Sequence, residues 1–290
     1  MRQKEEVRGP LGIIAGKGPL PCIVAEAAVA RGFPLHIVGI RGEASQAIER
    51  FPHTWIKWGE VNKLFGALEN NGCRDLVIIG GVSRPDLSNL KFDLGAIKNL
   101  PFILSLGKGG DDSVLSRIVN YLEHKGYRVH GAEDVAPELL AGEGVLSRRM
   151  PSAEDRSDIK LGFQVVSALG HLDIGQAAVV AKGRVLAVEA AEGTDAMLTR
   201  CAELRQSGRV RQHGQAGVLV KAPKPGQEER IDLPTIGTET VRQAAAAGLA
   251  GIAVAARQVL VADGAATIDA ADKLGLFLLG EPLGGRTSDD

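Results

Sequence analysis

The sequence predicts an α/β protein in two parts, with an N-terminal Rossmann-like domain on a parallel sheet over residues 1–146 and a C-terminal α/β domain with a mixed sheet over residues 159–290. Three observations carry this. Short apolar runs alternate with helical stretches through the first half, as crossover-linked parallel strands require. A cluster of charges, serine and proline at 147–158 breaks the pattern and reads as a linker. Beyond it, two apolar runs meet at Gly183, a hairpin that makes the second sheet mixed. At 290 residues and 44% apolar, the chain can build two cores.

In chain order, residues 11–15 are a strand and 21–31 a helix, with Pro21 suited to its first turn. Residues 35–40 are a second strand, 61–70 a helix stopped by Asn71-Gly72, and 75–79 a third, buried strand. Residues 113–125 form an amphipathic helix with Val114, Ile118, Tyr121 and Leu122 on one face. Gly126 ends it, and 127–130 returns as a strand. After the linker come a helix at 159–169, strands at 177–181 and 185–189, a helix at 196–207 and a strand at 217–221. A helix at 238–247, strands at 251–254 and 259–262, a helix at 267–274 and a strand at 277–279 complete the chain.

Composition excludes several classes. Lys plus Arg number 34 against 35 Asp plus Glu, so no cationic excess marks a nucleic-acid binder. Cys22, Cys73 and Cys201 are isolated, which argues against disulfides and structural zinc and for a reducing compartment. Residues 1–9 are charged and lack an export signal, and no apolar run reaches membrane-spanning length, so a cytoplasmic location is expected. The six histidines show no ligand spacing, and His130 and His171 read as structural.

The loops carry the chemistry. Gly16, Lys17 and Gly18 lie between the first strand and a helix, where backbone amides approach a phosphate; a tight turn without ligand fits the same residues. Gly81 and Ser83 follow the third strand at the edge where open α/β sheets bind ligands. Lys108, Gly109 and Gly110 offer a cation and flexible donors, and Asp111 and Asp112 after them also suit helix capping. In the second half, Glu189, Glu192 and Asp195 crowd a strand exit around Gly193 and Thr194, an oxygen-rich set of the kind hard cations prefer. A Pro-bounded loop then supplies Lys221, Lys224 and Arg230 for phosphate oxygens, with Glu228 and Asp232 to hold metal or orient water.

Together these loops resemble one family: the UDP-2,3-diacylglucosamine pyrophosphatases of lipid A biosynthesis in alphaproteobacteria and other bacteria lacking the metallophosphoesterase type. The resemblance runs from Leu11 to Gly251. It is most distinctive in Gly107-Lys-Gly-Gly-Asp-Asp112, Asp173-Ile-Gly-Gln-Ala177, Val188-Glu-Ala-Ala-Glu-Gly-Thr-Asp-Ala-Met197 and Lys224-Pro-Gly-Gln-Glu-Glu-Arg-Ile-Asp-Leu-Pro234. It implies a Mg²⁺-dependent hydrolase, with Mn²⁺ as a substitute, that adds water at the α-phosphate to give UMP and 2,3-diacylglucosamine 1-phosphate. It also implies a homodimer with substrate between two domains, Gln176 and Gln227 among the substrate contacts, and leaves open peripheral contact with the inner membrane. The family often has Asp where this chain has Glu228, so Asp232 is the first choice for the essential acid, with Glu228 and Asp195 beside it and Glu189, Glu192 and Asp232 as metal ligands. Two rival readings are an NADP-dependent reductase, with Arg41 placed for a 2′-phosphate, and a non-catalytic sugar-nucleotide or lipid carrier.

Overall fold

The computed structural model describes residues 6–82, 111–210 and 214–283. The chain divides into two compact units, Met1–Pro137 with Glu228–Asp232, and Glu138–Gln227 with Leu233–Asp290.

The first unit is built on five parallel strands in the order β3-β2-β1-β4-β5. They are β1 (Leu11–Ala15), β2 (Leu35–Ile40), β3 (His53–Ile56), β4 (Asp75–Ile79) and β5 (Arg128–His130). β1 is buried along its whole length, as a central strand covered on both faces must be. Helices α1 (Leu20–Ala30), α2 (Val61–Asn70), α3 (Asp111–His124) and the short α4 (Ala132–Val135) belong to the same unit. Val38, Leu68, Leu76, Val119 and Val129 form its core, and Ile231 of the inserted segment packs against them. The expected strands at 11–15, 35–40 and 75–79 coincide with β1, β2 and β4. β3 is not expected from the sequence, since its four residues follow Pro52 and mix two polar residues with Trp55 and Ile56.

At the start of β4 a buried carboxylate ties that strand to β5. Asp75 is fully buried; it accepts from Arg128 Nε at 2.8 Å and Nη2 at 2.7 Å, and from His130 Nε2 at 2.7 Å. His130 is therefore structural, as its sequence context suggested.

The second unit carries a six-stranded mixed sheet in the order β6-β13-β11-β9-β7-β8. Its strands are β6 (Gly144–Val145), β7 (Ala177–Ala181), β8 (Arg184–Val188), β9 (Val218–Lys221), β11 (Gly251–Ala255) and β13 (Phe277–Glu281). β9, β11 and β13 run parallel, while β6, β7 and β8 join antiparallel. A separate pair, β10 (Thr235–Ile236) and β12 (Leu260–Val261), is parallel. The helices are α5 (Ala153–His171), α6 (Gly193–Gln206), α7 (Thr238–Ala246) and α8 (Gly264–Leu274).

The hairpin expected at Gly183 joins β7 to β8. Lys182 and Gly183 both adopt positive φ, 53° and 71°, the geometry of a two-residue turn matched to strand twist. Asp158 stabilises it by accepting from the amides of both, at 2.8 and 2.7 Å. That aspartate corrects the expected linker at 147–158, since α5 begins at Ala153. Ser152 caps the helix by accepting from the Asp155 amide at 3.2 Å, while Asp155 accepts from the Ser152 amide at 2.9 Å. The charges at 153–158 are the first turns of a helix, and the Ser-x-x-Asp spacing is the signal that marks its start.

Candidate functional site

In the first unit, the strand order reverses between β1 and β4. Their carboxyl ends flank the crevice where doubly wound sheets take ligands. The loops leaving these strands cross backbone to backbone: the Gly16 amide donates to Ile79 O at 2.9 Å and the Lys17 amide to Gly81 O at 2.6 Å. A Cβ on Gly16 would stand 2.5 Å from Gly81 O and 2.6 Å from Gly80 O, so glycine is required there by the neighbouring main chain. Gly16→Ala is expected to destabilise this unit by about 1–3 kcal/mol, the ordinary cost of overpacking, measured by denaturant unfolding. Gly18 has φ 89°, which glycine alone adopts readily. Lys17 lies 3.3 Å from Glu43 Oε2 with about half its side chain exposed. Thus Gly16, Lys17, Gly18 and Gly81 come together at the switch point. Ser83, Lys108, Gly109 and Gly110 lie outside the described residues, and Asp111 and Asp112 open α3.

The segment Glu228–Asp232 also belongs to this unit. Within it Arg230 is clamped: its Nε and Nη2 donate to the two oxygens of Glu228 at 2.6 Å each, and its Nη1 donates to Glu123 of α3 at 2.5 Å. Hydrogen bonding to Glu228 raises the Arg230 pKa, against the opposing pull of burial, so the guanidinium stays charged. The amides of Ile231 and Asp232 return to Glu228 O at 3.2 and 3.1 Å, closing a turn that presents Asp232, which is half-buried. Glu228 therefore works in the clamp. Glu123 was not singled out from the sequence, because nothing local links it to a residue 107 positions away.

In the second unit, a buried polar chain joins three strand ends. Glu189, at the end of β8, is buried; its Oε2 accepts from the Gln176 amide at 3.2 Å and its Oε1 from Thr194 Oγ1 at 2.7 Å. Thr194 in turn accepts from the buried Lys221 Nζ at 2.9 Å, and Lys221 also donates to Thr235 O at 3.1 Å. Close packing makes this possible, for a Cβ on Gly175 would stand 2.2 Å from Glu189 O. Beside it, Gln227 Oε1 accepts from the Lys224 amide at 2.9 Å, and its Nε2 reaches Gln176 Oε1 at 3.5 Å, the outer limit of a hydrogen bond. Lys224 Nζ pairs with Asp173 at 2.6 Å, a partner the sequence reading missed. Asp173 holds a left-handed φ of 54°, a conformation that Asp tolerates better than most residues.

The structure thus gathers Gln176, Glu189, Thr194, Lys221, Lys224 and Gln227 around one corner of the second sheet. Glu192 pairs with Arg200 at 3.0 Å, and Asp195 is exposed in the first turn of α6, after Gly193 with φ 81°. Among the described residues, no three His, Cys, Asp or Glu side chains gather in a group that could hold a metal ion. Arg41 lies over the Trp55 ring, 5.6 Å from its centroid.

With this geometry in hand, likeness to known proteins is informative. Residues 10–139 match the model of the LpxI N-terminal domain, and residues 142–279 match that of the LpxI C-terminal domain. A protein of Caulobacter vibrioides, UDP-2,3-diacylglucosamine pyrophosphatase LpxI, is 45% identical over 270 residues, covering 93% of this chain and 96% of the relative.

Proposed function

This chain belongs to the LpxI family, and from that premise we propose that it hydrolyses the diphosphate of UDP-2,3-diacylglucosamine in lipid A biosynthesis. Water adds at the α-phosphate, releasing UMP and 2,3-diacylglucosamine 1-phosphate. The observation that carries the reading is the 45% identity that runs through both domains to a relative named for this activity. The proposal extends to a cytoplasmic homodimer that meets its lipid substrate at the inner-membrane surface. Among the described residues, no helix is long and apolar enough to cross a membrane.

The chemistry asks for charge neutralisation on phosphoryl oxygens, a placed water and a stabilised leaving group. The Lys17 ammonium, with amides of the β1 and β4 exits other than those of Gly16 and Lys17, which bond Ile79 O and Gly81 O, would bind the diphosphate oxygens in the first unit. Asp232 would hold the attacking water and accept its proton. Arg230 is kept charged and oriented by Glu228 and Glu123, which fixes the turn that presents Asp232.

Magnesium, or manganese in its place, would neutralise the diphosphate. Such an ion typically takes one or two carboxylates and completes its shell with phosphate oxygens and water. Asp232, in the turn beside Arg230, is the carboxylate proposed for that role. Glu189 suits it less, because both its oxygens already accept hydrogen bonds and the Lys221 ammonium lies one hydroxyl away. Glu192 faces Arg200. Incubating the purified protein with UDP-2,3-diacylglucosamine and Mg²⁺ should release UMP, detected by mass spectrometry. Excess EDTA should reduce the rate to background and added Mg²⁺ should restore it. Turnover unchanged by EDTA would remove the metal from the mechanism.

A further inference from the structure

The segment bearing Asp232 leaves the second unit after Gln227 and returns to it at Leu233, and both of its ends are fixed by buried polar groups. At the departing end, Gln227 is buried and accepts from the Lys224 amide. Gly170 of α5 leaves room for this stretch, since a Cβ there would stand 2.7 Å from Pro225 Cδ. At the returning end, Pro234 O accepts from the Leu260 amide at 2.8 Å and Thr235 O accepts from Lys221 Nζ at 3.1 Å. Pro234 has its φ fixed by its ring, so Leu233 is the sole residue between Asp232 and a held position.

Beside the main-chain pairing of β10 with β12, Lys221 is the side-chain hold on the returning end, and a buried lysine needs partners of its own. A lysine ammonium buried at the end of β9 needs compensation, since an unpaired buried charge is strongly disfavoured. Compensation arrives from Glu189, relayed through the Thr194 hydroxyl, which accepts from Lys221 and donates to Glu189. A hydroxyl suits this relay because it donates one proton while accepting another. Glu189 is itself fixed by the Gln176 amide.

We propose that Glu189 and Thr194 are positioning residues: through Lys221 they fix Thr235 and so hold Asp232 in its working place. This rests on the reading of Asp232 as the residue that handles water, and it gives Glu189 a task other than metal ligation.

Glu189→Gln removes the charge with little change of shape, Thr194→Val removes the relay hydroxyl, and Thr194→Ser keeps it. Hydrogen exchange on the full chain reports positioning without any substrate. In Glu189→Gln and Thr194→Val, the Ile231 and Asp232 amides should exchange about tenfold faster or more, while the β11 amides keep their protection. Turnover should fall about tenfold or more with KM within about twofold, and Thr194→Ser should recover most of what Thr194→Val loses. In an Asp232→Ala background the same substitutions should add little, because residues acting through one group are not additive. The Mg²⁺ concentration for half-maximal activity should not move in Glu189→Gln.

Unchanged exchange at 231 and 232, equal impairment by Thr194→Ser and Thr194→Val, full additivity with Asp232→Ala, or a shifted Mg²⁺ requirement would each overturn the proposal. Should Glu189→Gln not fold, the Thr194 pair decides the question. Failure of the functional reading is distinguishable, since it would appear as no UMP from the unsubstituted protein while the exchange result still stands or falls alone.

Discussion

Asp232→Ala is expected to lower kcat by about 100-fold or more, a loss of roughly 3 kcal/mol of transition-state stabilisation, with KM changing far less. The physical reason lies in how the residue is held. Its amide is bonded to Glu228 O, Ile231 before it is packed on the first unit's core, and Arg230 is clamped by Glu228 and Glu123. If Asp232 handles the attacking water as proposed, a carboxylate presented from so constrained a turn would be preorganised for the transition state, and its removal would be felt there more than in ground-state binding. Glu228→Ala should act more mildly, because it loosens the clamp and leaves the Asp232 carboxylate in the chain. Steady-state kinetics on both variants checks this, and near-normal kcat in folded Asp232→Ala would transfer the role to Asp195.

The second large effect concerns stability. Asp75→Asn is expected to destabilise the first unit by about 3 kcal/mol, the low end for breaking a buried pair, because Arg128 reaches solvent while Asp75 and His130 do not. Burial alone would push the Asp75 pKa up; hydrogen bonds from Arg128, His130 and the Arg8 amide outweigh it and hold the carboxyl below its ordinary value. The sign of the pH dependence follows. With the folded pKa below the unfolded one, near 3.9, this contribution is complete above the unfolded value and disappears as pH falls through the folded value. Both tryptophans, Trp55 and Trp58, lie in the first unit, so their fluorescence in denaturant titrations reports its unfolding. The unsubstituted protein should lose stability as the pH is lowered below about 4, and Asp75→Asn should lose less of it over the same range.

Much of the fold was legible because the strong signals were local. Buried strands such as β1, β4 and β7 are short, apolar and bounded by glycine or polar residues, so their ends coincide with those expected. β3 and β10 were missed for the converse reason. Each has little apolar pattern of its own and is held by pairing, β3 to β2 and β10 to Leu260–Val261. The supposed linker shows how charge misleads: Asp155 and Asp158 are buried acceptors, one receiving the amide of the cap residue Ser152 and the other fixing a hairpin 24 residues on.

The candidate site was legible residue by residue but not as an arrangement. Lys221, Thr194, Glu189 and Gln176 were each singled out, yet their relay exists because the sheet sets β7 between β8 and β9, an order no spacing encodes. Likewise, a loop read as part of the second half sends Glu228–Asp232 into the first unit, where Glu228 turns from a candidate acid into the holder of Arg230.

The central claim is hydrolysis by water at the α-phosphate, and isotope placement tests it most directly. Turnover of UDP-2,3-diacylglucosamine in ¹⁸O-enriched water, followed by mass spectrometry of both products, should place one heavy oxygen in UMP and none in 2,3-diacylglucosamine 1-phosphate. Label in the sugar phosphate instead, or no UMP at all, would contradict the account.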